Sequence, residues 1–125
     1  VHKILTKRPV KIKPVSWVPF GVAAITLGHT IYILRKQIDN RPLLNHETNH
    51  VAQAEEEKTL LHFWGKYLFS RKHRFAYEAD SFAVEVKSSG DLEQCAYLFR
   101  KNYFLNISFD EARQGILAAL EKIAK

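Results

Sequence analysis

The chain has 125 residues, 46% of them hydrophobic and 26% charged, with a net charge of +6. These values exclude a disordered or fibrous chain and predict one globular domain, spanning 1–125, with a real core. The lone Cys95 excludes an internal disulfide framework, and no charged-then-apolar leader with a small-residue cleavage site is seen, so the expected location is the cytoplasm or a virion.

Val10-Lys11-Ile12-Lys13 alternates with period two between Pro9 and Pro14, the pattern of an edge strand with its lysines outward. Val15 to Leu34 then runs twenty residues without a formal charge, which meets the length of a membrane span. Pro19, Gly21, Gly28, His29 and many β-branched residues argue against a helix there. Two strands around Leu27-Gly28-His29 are expected instead, and no transmembrane segment. Residues 1–38 thus read as mostly strands and 42–125 as mostly helical.

Between Leu43 and about Tyr67 there is no proline and one glycine, Gly65, so a long helix or two in tandem is predicted. Pro42 suits its start, where a missing N–H is no loss, with Asn40 or Asn45 as cap. Leu43, Leu44, Val51 and Ala54 supply its apolar stripe. Phe75, Ala79, Phe82, Ala83 and Val86 are spaced as the face of a second helix. Gly90 ends it, and Asp91 caps a third, over 92–104, in which Cys95 is a small buried residue. Ser108 with Glu111 forms a capping box ahead of Ile116, Leu117, Leu120 and Ile123. The predicted class is α+β: a small antiparallel sheet near the N-terminus followed by about four helices.

Chemistry concentrates in His46-Glu47-Thr48-Asn49-His50, an H-E-x-x-H pentad on the first long helix. Side chains four apart stack on one helix face, so both imidazoles can reach a single ion. Zinc takes imidazole nitrogen at roughly 2.0–2.1 Å and, when catalytic, keeps one position open. Glu47 lies beside such an ion, placed to take a proton from water. Polar Thr48 and Asn49 suggest that this part of the helix faces water or a cleft. A third ligand should come from the next helix, where Glu78 and Asp80 point about 200° apart. Glu78 is favoured; it shares a face with Arg74, Ser81, Phe82 and Glu85. Asp80 is left to orient a histidine or to meet solvent, and the plain reading of Glu78 is a surface pair with Arg74. His73 and Tyr77 are candidate donors to an oxyanion.

This pentad, with a glutamate on the following helix, resembles a minimal zincin of the gluzincin type. Thr26-x-Gly28-x-x-Ile31, then Leu44-x-His46-Glu47-x-x-His50-x-x-Gln53, is similar to small zincin-like domains of bacteria and their phages. Tyr77-Glu78-Ala79-Asp80-Ser81-Phe82-Ala83 resembles their second, glutamate-bearing helix. The likeness covers residues 23 to 86, and the pentad is its specific part. It implies Zn2+ as cofactor, a peptide or protein substrate, and an edge strand before the metal helix, Ile31–Leu34 or Ala24–Leu27, against which a peptide lies. Larger gluzincins place an acid four residues after the ligand glutamate; here that position is Phe82.

The expected function is therefore that of a zinc metallopeptidase with His46, His50 and Glu78 as ligands and Glu47 as general base. The alternative is a non-catalytic zincin-like structural or interaction module of a phage particle or secretion assembly. A further alternative is a basic nucleic-acid-binding protein, drawing on Lys3, Lys7, Arg8, Lys11 and Lys13, then Lys66, Arg71, Lys72 and Arg74. Those charges are spread along the chain, so the nucleic-acid signal is not strong; Trp64, Tyr67 and Phe69 beside the second group are its best support. The aromatic stretch over 60–70 also suits a membrane surface or a partner, against the commoner outcome of a buried aromatic helix end with solvated lysines.

Overall fold

The apolar run over 24–34 folds as a hairpin. Strands β2 (Ala24–Leu27) and β3 (Thr30–Leu34) pair antiparallel with Leu27 opposite Thr30. Gly28 turns the chain at φ +63°, where any Cβ would be strained. The computed structural model describes residues 6–57, 59–89 and 91–124; the expectations for Lys3 and Gly90 lie outside the described residues.

Strand β1 (Lys11–Val15) adds to the other side of β3, giving the order β1-β3-β2. It runs on through Pro14, which an edge strand tolerates because one side of its ladder is unpaired. The expected antiparallel pairing is found between β2 and β3, whereas β1 is parallel to β3, so the sheet is mixed. The hairpin fixes this. With β2 reversed against β3, a chain that leaves β1 and passes the end of β3 to enter β2 leaves β1 and β3 pointing the same way. Period-two alternation then buries Ile31 and Ile33 completely.

Among the described residues five α-helices follow where about four were expected: α1 (Arg41–Glu56), α2 (Leu60–Phe69), α3 (Arg71–Ser89), α4 (Leu92–Asn102) and α5 (Phe109–Ala124). The extra helix comes from the 43–67 stretch, which is two in tandem. Glu57 leaves the helix in an extended conformation, and Thr59 caps the next by accepting from His62 N at 3.0 Å. Asn40 caps α1 and Asp91 caps α4 in the same way, at 3.2 and 3.1 Å. Ser108 and Glu111 bond each other's backbone N–H reciprocally at 3.0 Å, the capping box anticipated from their spacing. No helix among the described residues is long and apolar enough to cross a membrane.

Two apolar clusters hold these elements. Phe82 and Ala83 of α3 meet Cys95 and Phe99 of α4 and Ile116 of α5 in the larger one; each fully buried Phe or Ile contributes about 1.5–3 kcal/mol relative to exposure. Gly115 belongs here for lack of room, since a Cβ on it would lie 2.6 Å from the Phe75 ring. In the smaller cluster Val51 of α1 packs on Ala24, Ile31 and Ile33 of the sheet. Helix α1 is thus held between sheet and α3, with Val51 turned to one and its histidines to the other.

Candidate functional site

The pentad lies wholly on α1, and His46, Glu47 and His50 are all buried. Buried polar groups must find partners, and α3 supplies them. His46 Nε2 is 3.0 Å from Glu78 Oε1, and His50 Nε2 is 3.2 and 3.1 Å from the two Glu78 oxygens. Glu78 is 1% exposed, so it is no surface partner of Arg74. Asp80, on the far face of α3, is half-buried; burial pushes its pKa up while Lys122 of α5 opposes the shift.

The outer nitrogens are equally engaged. His46 Nδ1 gives its proton to Glu85 Oε1 at 2.9 Å, and His50 Nδ1 gives its own to Gln53 Oε1 at 2.8 Å. Glu85 supplies from the position seven after Glu78 the carboxylate that Phe82, at the fourth, lacks. A neutral imidazole whose Nδ1–H is donated away presents a lone pair at Nε2. A lone pair facing a carboxylate at 3.0 Å is repulsive, so a proton or a cation must lie between them.

Protons alone suffice electrostatically. Burial would lower the pKa of His46, but the hydrogen bonds to Glu78 and Glu85 outweigh it and hold that pKa well above the ordinary imidazole value. Burial is likewise overcome at His50 by the charge of Glu78. For Glu78, burial is outweighed by both histidines, which hold its carboxyl far below the usual range.

A cation fits the same donors. The nearest nitrogen–oxygen distances at Glu78 are close to the edge of a tetrahedron with 2.0–2.1 Å bonds, about 3.3–3.4 Å. His46, Glu47 and His50 also bring one donor atom each to within 4.8 Å of one another. Glu78 faces the same two imidazoles from α3.

Glu47 stands beside this cluster. Its Oε2 is 3.9 Å from His46 Nε2, and its Oε1 accepts from Thr26 Oγ1 of β2 at 2.8 Å. Burial, opposed by the two imidazoles, pushes its pKa up. Glu47, His50 and Glu78 open onto a cleft of about 450 Å³ whose other walls are largely apolar, among them Ile25, Phe63, Trp64 and Leu68. Strand β3 is paired on both sides and offers no free edge; of the two edge strands, β1 and β2, it is β2 whose Ala24, Ile25 and Thr26 line the cleft.

Two expected donors are elsewhere. His73 is exposed and bonds Ser70 Oγ at 2.6 Å, and the Tyr77 hydroxyl donates to Glu57 at 2.7 Å. Tyr67 of α2 is the tyrosine at the site, donating a short hydrogen bond to Glu78 Oε2. Burial beside Glu78 pushes its pKa far up, so it is a donor throughout the ordinary pH range. Asn49, expected toward water or a cleft, donates to Ser81 Oγ of α3 at 3.0 Å. Trp64 and Tyr67 line the cleft.

The sequence reading missed Thr26, Gln53, Tyr67 and Glu85 as parts of this cluster. Glu85, two helical turns after Glu78 on one face, and Gln53, three residues after His50, carried a local signal. No protein-family model, curated protein or solved structure matches the chain.

Proposed function

We propose that this protein is a zinc-dependent peptidase, with His46, His50 and Glu78 as metal ligands and Glu47 as general base. The carrying observation is the placement of Glu47: beside the cluster of imidazoles and Glu78, fixed by Thr26, and open to the cleft. Two imidazoles and a carboxylate are a common donor set for catalytic zinc, which supplies Lewis acidity to a carbonyl and lowers the pKa of water. The unpaired edge of β2 offers main-chain partners to an extended peptide. Glu47, its basicity raised by burial, takes a proton and returns it to the leaving amine. Tyr67, Glu85 and Gln53 hold Glu78 and the two imidazoles in position.

Glu47→Gln tests this reading. Zinc content should persist, and turnover of a broad peptide library should fall roughly 10²-fold or more. Zinc lost together with turnover would make Glu47 a ligand. Wild-type turnover equal to the variant's would favour the second reading, a non-catalytic module of a phage particle or secretion assembly. One observation supports that reading: Glu78 is already satisfied by three protein groups, His46, His50 and Tyr67, in a closed network.

A further inference from the structure

Helix α2 is apolar on both of its long faces. Phe63 is buried, and Trp64 and Tyr67 line the cleft. On the other side Leu61, Leu68 and Phe69 are 83%, 57% and 90% exposed. Steps of about 100° per residue bring Leu61, Gly65, Leu68 and Phe69 within roughly 100° of one another, a stripe turned away from Phe63. A helix facing water carries polar residues there, and a contiguous patch of large apolar side chains marks a contact surface. The patch continues through Leu68 to Phe104 and Phe20, which rim the same cleft with their rings 6.5 Å apart, edge to face.

Charge identifies the partner. From Lys58 to Tyr77 the chain has no acidic residue, yet it carries Lys58, Lys66, Arg71, Lys72 and Arg74. Lys66 is paired with Glu57 and Arg74 donates to backbone carbonyls, which leaves Arg71 and Lys72, among the described residues, as the exposed cations beside the stripe. Arg71 and Lys72 are exposed directly beyond Phe69. We propose that this face docks the protein on an anionic lipid bilayer, with Leu61, Leu68 and Phe69 entering the acyl boundary and Arg71 and Lys72 meeting headgroup phosphates. At about 1.5 Å per residue α2 is roughly 15 Å long, half the hydrocarbon thickness, so it lies along the surface and does not cross. A second copy of the chain is the poorer occupant, because it would bring the same basic run against itself. Docking brings the cleft mouth to the headgroups and does not depend on whether the metal site turns over peptides.

The test is co-sedimentation of the full chain with phosphatidylcholine vesicles, with and without roughly one-third phosphatidylglycerol. Binding should require the anionic lipid and weaken about tenfold or more at high salt. The Leu61→Ser, Phe69→Ser double variant should lose about tenfold or more in binding at an unchanged melting temperature, since both side chains are exposed. Lys72→Glu should weaken binding without touching the apolar stripe, and it decides the matter if the double variant does not fold. Failure of the wild type to bind anionic vesicles overturns the proposal. So does binding indifferent to these variants, or a concentration-dependent dimer that the double variant abolishes.

Discussion

Glu85 lies two helical turns beyond Glu78 on α3 and takes the Nδ1 proton of His46 at 2.9 Å, while Glu78 faces the same ring at Nε2. One helix face therefore clamps one imidazole from both ends, fixing its plane and its tautomer. Glu85→Ala should keep the fold and weaken zinc binding about 10–100-fold, read by competition with a chromogenic chelator. Unchanged affinity would reduce Glu85 to a packing residue.

Glu78 and Asp80 should separate sharply. Glu78→Ala removes the group that both imidazoles face, whereas Asp80→Ala removes one turned toward Lys122. The first should lose nearly all bound zinc on dialysis, the second little or none. The reverse order would mean that α3 is rotated, with its Asp80 face toward the two imidazoles.

Gly115 is kept small by Phe75. Alanine there gains about 1 kcal/mol of helix propensity, but its Cβ would stand 2.6 Å from a ring already packed against Phe99. Overpacking costs about 1–3 kcal/mol, so Gly115→Ala should be neutral to destabilising by about 2 kcal/mol in urea unfolding. Adding Phe75→Leu should recover part of that loss. A stabilised single variant would show that the ring yields freely.

Glu55 ties the N-terminal segment to α1. Its carboxylate accepts from Lys7 N at 2.8 and 2.9 Å and from His29 Nε2 at 2.7 Å. Burial opposes ionisation, but these donors prevail and hold its carboxyl below the ordinary glutamate range. A depressed carboxylate contributes stability that is complete above the unfolded pKa and lost as the pH falls through the folded one. Glu55→Gln should therefore destabilise the protein at pH 7, and the gap from wild type should close as acid is added below about pH 4. A gap that persists undiminished in acid would assign the effect to shape and not to charge.

Where a feature depends on nearby residues, the sequence displayed it. The Ser108–Glu111 box, the Asp91 cap, the Gly28 turn and the α3 face from Phe75 to Val86 all rest on spacings of a few positions, and each is found. The helical period separated Glu78 from Asp80, and it is the Glu78 face that meets both imidazoles. The direction of β1 was not legible, because parallel pairing to β3 depends on which side of the hairpin the chain returns to. Tyr67 and Thr26 were hidden for the same reason: each reaches the pentad from another element, across a distance that no period encodes. For Leu61, Leu68 and Phe69 the sequence allowed both an exposed contact surface and a buried helix end, and the commoner outcome, burial, is not the one found.

His46 and Glu78 meet across 32 positions of chain, and α2 lies inside the loop their contact closes. Closing a loop of that length removes chain entropy once, whatever bridges the pair, and every residue inside then fluctuates within a shorter tether. Breaking the bridge should free α2 before it disturbs the α3–α5 core. Amide exchange over 60–69 would then report the state of a contact that none of those amides touches.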